Sequence, residues 1–226
     1  MDGHEPGVLQ GLWSRLSREQ YASWAVKYDG ELTKLRYATP ARVAALLVEH
    51  FAPGARLLEL GAGTGFVGAA LEGLGSSLRL TATDLSPQML DLLTSPVYTE
   101  RLELDASQPL PFPPGSFDGV ICAGLLEYII EPGMVLANVR AVLRPGGKLL
   151  LTYAPAQYRA VEQLATDMIL ICHHPEAIAW HLASHGLTPI HQEVVPAYWN
   201  RGVQIIHHLV VVTAEANPEV EANSDT

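Results

Sequence analysis

Cysteine is scarce in this chain of 226 residues, since only Cys122 and Cys172 occur, far apart and each within an apolar run. Two such residues supply neither a disulfide framework nor the paired spacing of a zinc site. No apolar run approaches the roughly 18 residues that a membrane-spanning helix needs. The first ten residues lack the basic start and the apolar segment of a secretory signal. We therefore expect a cytoplasmic protein with reduced thiols that neither spans a membrane nor is exported.

Positive charge is scarce as well, with 14 Lys and Arg residues against 24 Asp and Glu residues and a formal net charge of -10. Phosphate backbones and anionic lipid surfaces attract basic proteins, so we expect neither nucleic acid nor a membrane among the partners. Hydrophobic residues, by contrast, make up 48% of the chain, which is enough to bury a substantial core. The length favours a single domain.

The hydrophobic pattern predicts helices first and then an alternation of strands and helices. Apolar residues at three- and four-residue steps over 13–35 indicate one helix or a pair of helices. Thr39 and Pro40 open a further helical pattern, with Thr39 as its cap and Pro40 in its first turn. The alternation that follows is typical of a parallel sheet covered by helices on both faces. The predicted strands are 56–60, 78–83, 101–104, 119–123 and 148–153, followed by a terminal hairpin at 189–195 and 204–213.

A glycine-rich turn, E-L-G-A-G-T-G-F, follows the first predicted strand at 59–66 and leads directly into a helical pattern. Open α/β sheets bind ligands at such turns, beyond the carboxyl ends of their strands. A dinucleotide site has G-x-G-x-x-G/A, so that a helix N-terminus can approach a pyrophosphate. Here Phe66 occupies the third position, and Glu59 would repel a pyrophosphate. The turn therefore favours a nucleotide-like ligand that carries no phosphate and tolerates a nearby acid.

The pattern E-x-G-x-G-x-G resembles motif I of the class I S-adenosylmethionine (SAM)-dependent methyltransferases, in particular the type 11/25-like group that acts on small molecules. The segment D-L-S-P-Q-M-L at 84–90 resembles the family's D-x-S-x-x-M-L. The phrase at 110–120 matches its loop before the fourth strand, and L-R-P-G-G-K-L at 143–149 matches its turn before the fifth. The resemblance is dense over 39–153, and elsewhere it extends only to the layout of elements.

This resemblance implies the fold and the division of the chain. The expected fold is α/β and Rossmann-like, with a doubly wound, mostly parallel seven-stranded sheet, an antiparallel terminal strand and an N-terminal helical lid. The expected segments are the lid at 1–37, a SAM-binding methyltransferase domain at 38–214 and a disordered acidic tail at 215–226.

The resemblance also implies a set of cofactor-binding residues. Asp84, at the end of the second strand, would accept hydrogen bonds from the ribose hydroxyls, although an Asp before Ser-Pro is also a good helix cap. Asp105 would meet the adenine amino group, whereas Asp118 favours a structural role in a turn. The full set is Tyr28, Tyr37, Glu59, Gly61, Ala62, Gly63, Gly65, Asp84, Leu85, Met89, Asp105, Ala106, Ala123 and Gly124.

Two residues are candidates for the chemistry of transfer. The sulfonium of SAM already activates its methyl group, so the enzyme mainly has to align a nucleophile and exclude water. Tyr28 resembles lid tyrosines that approach the methionine end of SAM. His173 follows the fifth strand and could serve as a base near neutral pH. Both have structural alternatives, because aromatic residues at helical spacing often belong to the core and His173 could simply precede a helix.

Other residues give weaker indications of a functional role. Tyr128 stands where many relatives have histidine, so a role for that imidazole is not transferred to this chain. His207 and His208 favour structural roles in the last strand. His181 and His185 share a helix face but lack a third ligand, so no metal is expected.

Three functions are compatible with these patterns. The motifs and the aromatic lid favour methyl transfer to a small-molecule acceptor, aromatic compounds and natural products included, with S-adenosylhomocysteine (SAH) as the second product. A protein or RNA methyltransferase is opposed by the acidic charge. A SAM-binding protein without transferase activity stays open, because no obligatory catalytic residue exists whose loss would reveal it. The sequence leaves open the acceptor, the methylated atom and the choice between monomer and homodimer.

Overall fold

The computed structural model describes residues 6–156, 161–163 and 169–215. The helices in these ranges are α1 (Pro6–Lys34), α2 (Thr39–His50), α3 (Phe66–Gly73), α4 (Pro87–Leu90), α5 (Pro132–Val142) and α6 (Pro175–Ser184), with a 3-10 turn at Leu126–Tyr128. The strands are β1 (Arg56–Leu60), β2 (Arg79–Asp84), β3 (Tyr98–Glu103), β4 (Phe117–Cys122), β5 (Leu143–Tyr153), β6 (Val161–Gln163), β7 (Ile169–Ile171), β8 (Leu187–Asn200) and β9 (Val203–Ala214).

The centre of the molecule is a seven-stranded sheet in the order β3-β2-β1-β4-β5-β9-β8. Strands β1 to β5 are parallel, whereas β9 runs antiparallel to both β5 and β8. This confirms the expected Rossmann-like, doubly wound α/β fold with its antiparallel terminal strand and N-terminal helix. The strand order reverses between β1 and β4, and such a switch point opens a crevice at the carboxyl ends of the strands.

The inner strands are mainly apolar because both faces of the sheet are covered. Within β1, Leu58 and Leu60 pack into the core cluster on one face, while Leu57 belongs to the cluster on the other. Successive side chains of a strand point to opposite faces, which explains this division. Glu59 is the polar exception in β1, and it is buried as deeply as its neighbours.

Several local details differ from the sequence-based expectations. The first helical pattern was compatible with one helix or a pair, and it forms the single helix α1. Ala38 is the N-cap of α2, and Thr39 is its first residue, so Thr39 does not cap. The Thr39 hydroxyl instead lies 3.3 Å from Nδ1 of His207. The antiparallel pair β6–β7 was not predicted, and the expected tail from residue 216 onward lies outside the described residues.

Helix α1 is fastened across the loops that follow the parallel strands. Near its start, the side-chain oxygen of the buried Gln10 accepts a hydrogen bond of 2.7 Å from the backbone N–H of Ile130. Farther along, Thr64 of the glycine loop donates to the carboxylate of Asp29 at 2.5 Å. These contacts at both ends hold α1 over the crevice.

Candidate functional site

The glycine loop between β1 and α3 turns through backbone conformations that favour glycine. Gly61, Gly63 and Gly65 all have positive φ, with values of 72°, 56° and 93°. A Cβ at Gly65 would lie 2.5 Å from the side chain of Leu93, so this glycine also permits close packing beneath the loop. A Cβ at Gly63 would meet only the ring of Tyr28, at 3.9 Å. Gly63 therefore faces space that a ligand can occupy.

Asp84 ends β2 beside this loop. Its Oδ2 accepts a hydrogen bond of 2.8 Å from the N–H of Gly63, and its Oδ1 accepts one of 2.9 Å from the N–H of Ser86. Ser86, not Asp84, is the N-cap residue of α4. Burial raises the pKa of Asp84, while the amides of Ser86, Gly63 and Leu85 act in the opposite direction. The amides thus fix the orientation of a carboxylate that lies partly out of water.

Glu59 lies one strand away with a side chain that is 2% exposed. The hydroxyl of Tyr98 donates to its Oε2 at 2.7 Å and accepts a hydrogen bond of 3.0 Å from the N–H of Gly68. Burial raises the pKa of Glu59 to about 8, the hydrogen bond from Tyr98 lowers it, and the charge of Asp84 raises it. The free protein therefore holds Glu59 largely protonated at neutral pH.

Asp105 follows β3 in a tight turn. Its Oδ1 accepts hydrogen bonds from both the N–H and the hydroxyl of Ser107, at 2.9 and 2.7 Å. Both bonds use the same oxygen, so Oδ2 takes no part in them. Asp118, in contrast, binds the N–H of Arg56 at 2.7 Å and the guanidinium of Arg144 at 2.6 Å, which is the structural role that the sequence favoured.

One cavity brings most of the predicted cofactor-binding residues together. Twelve of the fourteen line it, and Gly65 and Met89 do not. Gly65 is instead the N-cap of α3, and Met89 is fully buried. We call this space the first cavity; its lining is Ser14, Ser17, Tyr21, Tyr28, Tyr37, Pro40, Glu59, Gly61, Ala62, Gly63, Phe66, Val67, Asp84, Leu85, Leu104, Asp105, Ala106, Ala123, Gly124, Leu125, Tyr128 and Ile129.

Helix α1 contributes lining residues that the sequence reasoning missed. Ser14 and Ser17 line the first cavity beside Tyr21 and Tyr28. These four positions repeat at three-, four- and seven-residue steps, which places them on one helix face. The spacing was therefore a usable signal, but the serines were not read as part of the tyrosine stripe.

Aromatic residues line both the first cavity and a second one beside it. The ring centroids of Tyr28 and Trp24 lie 4.8 Å apart, and those of Tyr21 and Tyr128 lie 5.1 Å apart. Burial raises the pKa of Tyr28 far above neutrality, so its phenol is uncharged. The second cavity shares five lining residues with the first. Its lining is Tyr21, Trp24, Tyr28, Leu32, Leu35, Tyr37, Gly124, Glu127, Tyr128, Leu170, Tyr198 and His207.

An acid and an imidazole meet at the second cavity. Oε1 of Glu127 lies 3.4 Å from Nε2 of His207, and both side chains are only 2% exposed. Burial raises the pKa of Glu127 to about 7 and lowers that of His207 to about 3. The sequence reasoning did not select Glu127 and favoured a structural role for His207.

His173 does not join these residues. Its Nε2 lies 2.7 Å from the carbonyl oxygen of Leu126, and burial lowers the pKa of its imidazole. It is absent from the lining of both cavities in the described part of the chain. Its catalytic role stays a prediction, and the contact that the structure gives it is with the backbone. The segment nearby reaches the second cavity through Leu170 instead.

Comparisons with known proteins agree with this architecture. Residues 58–151 match the family model Methyltransf_11, described as a methyltransferase domain. The chain is 31% identical to the ubiquinone biosynthesis O-methyltransferase of Xanthomonas campestris pv. campestris over 129 residues, which cover 55% of this chain and 53% of that protein. It is 36% identical to human methyltransferase-like protein 27 over 138 residues, covering 58% and 55%. The chain thus spans about half the length of these relatives.

A solved structure shares the fold over nearly the whole chain. It is the 1,6-didemethyltoxoflavin-N1-methyltransferase of Burkholderia thailandensis, with bound 1,6-didemethyltoxoflavin and SAH, which superimposes with a TM-score of 0.70 at 20% identity. The match covers 91% of this chain and 90% of the other. The superposition shows the fold, and the sequence match identifies residues 58–151 as a methyltransferase domain.

Proposed function

We propose that this chain transfers a methyl group from SAM to a small-molecule acceptor, and that the first cavity holds SAM. The charge of that cavity is the observation that carries the proposal. Asp84 and Asp105 line it together with Glu59, whose buried carboxyl a bound cation would ionise, and no lysine or arginine does so among the described residues. Such a site repels a pyrophosphate but attracts the sulfonium and ammonium groups of SAM.

The residues present fit each part of SAM. Asp84, oriented by two loop amides, would hold the ribose hydroxyls. Asp105 would receive the adenine amino group, and Glu59 with Tyr28 and Tyr37 would border the methionine end. When bound, SAM supplies a methyl group that its sulfonium has already activated. The chain itself has to bind, orient and exclude water, and α1 covers the crevice in the position that this requires.

A small acceptor is favoured by the walls of the cavities and by the relatives. The second cavity is bounded mainly by aromatic and aliphatic side chains and lies under α1. Such a lining suits a partly apolar metabolite. The relatives named for ubiquinone biosynthesis and for didemethyltoxoflavin both carry small-molecule names. The net charge of -10 argues against RNA as the acceptor.

Calorimetric titration with SAM tests the cofactor site. Asp84→Asn keeps the size of the side chain but replaces one acceptor oxygen by a donor and removes the charge. Hydrogen bonds to charged groups contribute about 1.5–3 kcal/mol, so we expect SAM affinity to fall roughly 10- to 150-fold. Asp91→Asn is the matched control, because Asp91 is exposed and lies outside the cavity lining. Equal affinities for the two variants, or no SAM binding by the unmodified protein, would overturn the assignment.

The acceptor class is tested by following radiolabelled methyl groups from SAM in a cell extract. We expect label in the small-molecule fraction together with SAH in turnover amounts. Label confined to protein or RNA would reverse the assignment of the acceptor. SAM binding without any turnover would instead indicate a SAM-binding protein that has no transferase activity.

A further inference from the structure

The second cavity contains two buried polar groups that the cofactor assignment does not use. Nε2 of His207 has no hydrogen-bond partner among the described residues besides its 3.4 Å contact with Oε1 of Glu127. The carboxyl of Glu127 also interacts with the backbone amides of Glu127 and Ala154, which lower its pKa. Burying a polar group without a hydrogen bond is costly, so such groups are rare unless a ligand or water serves them. The pair comes from two distant segments, the 3-10 turn and β9.

The structure holds the imidazole in place from its other side. Nδ1 of His207 lies 3.3 Å from the hydroxyl of Thr39, the first residue of α2. This contact leaves Nε2 directed to Glu127 and the cavity. Adjacent His208 faces the opposite side of β9, where its Nδ1 lies 3.0 Å from the hydroxyl of Tyr153. Only one of the two neighbouring histidines is therefore available to an occupant of the second cavity.

The rest of the cavity wall is apolar or aromatic. Trp24, Leu32 and Leu35 from the N-terminal segment line it together with Leu170 of β7. Tyr37, between α1 and α2, and Tyr198 of β8 also line the cavity, with ring centroids 6.4 and 5.8 Å from that of His207. Burial raises the pKa of Tyr37 well above its usual range. A buried acid and imidazole set among aromatic and aliphatic side chains suit a ligand with a polar donor group on an apolar body.

The two cavities meet at Gly124. A Cβ at this position would lie 2.8 Å from the hydroxyl oxygen of Tyr37, so the backbone and the phenol approach each other closely there. Tyr28 and Tyr37 line both spaces. An occupant of the second cavity would therefore lie directly beside an occupant of the first.

We propose that the second cavity is the acceptor subsite, and that Glu127 and His207 together bind the hydroxyl or amine group of a planar, mainly apolar acceptor. This inference rests on the proposed function, since it assigns the substrate class of the same site. The acceptor contributes a further hydrogen bond to the buried pair, and its apolar body replaces water against the aromatic walls.

Ligand-observed NMR on the protein saturated with SAH tests this subsite without relying on turnover. Because SAH fills the first cavity, the probes report on the second. The probes are 4-methylphenol and 4-methylanisole, which differ in that a methyl group replaces the hydroxyl hydrogen. We expect the unmodified protein to bind 4-methylphenol at least tenfold more tightly, and Glu127→Leu to reduce this preference to below threefold.

Stability measurements separate this role from a purely structural one. A purely structural pair would lower the thermal midpoint of Glu127→Leu and Glu127→Gln and leave the ratio of the two probe affinities unchanged, whereas a binding pair changes that ratio whatever happens to the midpoint. If the leucine variant does not fold, Glu127→Gln serves instead, and its preference should fall at least threefold. His207→Asn should likewise reduce the preference, and His208→Asn is the control that should not.

The outcomes distinguish the two proposals. Failure of SAH to bind would overturn the proposed function itself. SAH binding with equal affinities for the two probes, or a phenol preference that survives in Glu127→Gln and His207→Asn, would overturn the acceptor subsite alone.

Discussion

Replacing Glu59 by glutamine removes a titrating group from the first cavity and keeps its shape. The groups that face this carboxyl are Tyr98, which donates to it, Asp84 and Cys122. Burial raises the pKa of Glu59 to about 8, against an ordinary value of 4.5. Burial, with a contribution from Glu59, also raises the pKa of the Cys122 thiol, so that the thiol stays neutral over the range of interest.

The sign of the effect on stability follows from linkage. A carboxyl whose pKa is raised on folding contributes its full stabilisation below the unfolded value of 4.5, and that contribution is lost as the pH rises towards 8. At about 1.4 kcal/mol per pKa unit, the loss is about 4–5 kcal/mol. Urea unfolding measures the free energy of unfolding of Glu59→Gln and of the unmodified protein. We expect the difference between them to shift in favour of Glu59→Gln by about 4–5 kcal/mol as the pH rises from 5 to 8.5.

The same titration affects ligand binding. Below pH 8 the cations of SAM favour the ionised form of Glu59, so SAM binding should release a proton. SAM affinity should therefore increase by up to about tenfold for each unit by which the pH rises towards 8. Calorimetry in two buffers of different ionisation enthalpy counts the protons. At pH 7 we expect the unmodified protein to release close to one proton more than Glu59→Gln; the ammonium of SAM titrates equally in both. Equal proton counts, together with parallel stability curves, would refute the reasoning.

Two further predictions concern packing and charge outside the cavities. A Cβ at Gly68 would lie 2.2 Å from the ring of Tyr98, whereas nothing lies within 4 Å of a Cβ at Gly73 in the same helix. Urea unfolding should therefore show that Gly68→Ala is less stable than the unmodified protein by about 1–3 kcal/mol. Gly73→Ala should be unchanged or more stable by up to about 1 kcal/mol. Equal effects would contradict this packing. The amide of Arg56 and the guanidinium of Arg144 oppose the desolvation of Asp118 and hold the pKa of its carboxyl below the usual range. Asp118→Asn should therefore lower the free energy of unfolding by less than about 1 kcal/mol at neutral pH, and this difference should vanish in acid. The SAM affinity of this variant should be unchanged.

The fold and the first cavity were largely predictable because their signals are local. An apolar strand followed by glycines and a helix is readable within about twenty residues, and Asp84 and Asp105 each follow a predicted strand. Parallel strands bring their carboxyl ends to one edge, which is why residues far apart in sequence line one cavity. Met89 was included through its motif, but its side chain packs inside the protein.

The second cavity could not be read from the sequence because its polar pair depends on long-range strand order. Glu127 and His207 meet only because β9 enters the sheet beside β5, which brings the end of the chain next to the 3-10 turn. A histidine in an apolar strand gives no sign of the acid that it will face. The position of Thr39 also depends on a long-range contact, because its hydroxyl lies beside His207 instead of capping its helix.

The central claim, that the acidic first cavity binds SAM, is tested most directly by a crystal structure of the protein with SAH. SAH should lie in the first cavity, between the glycine loop and the carboxylates of Asp84 and Asp105. SAH bound elsewhere on the chain, or a dinucleotide bound in this cavity in its place, would contradict the account.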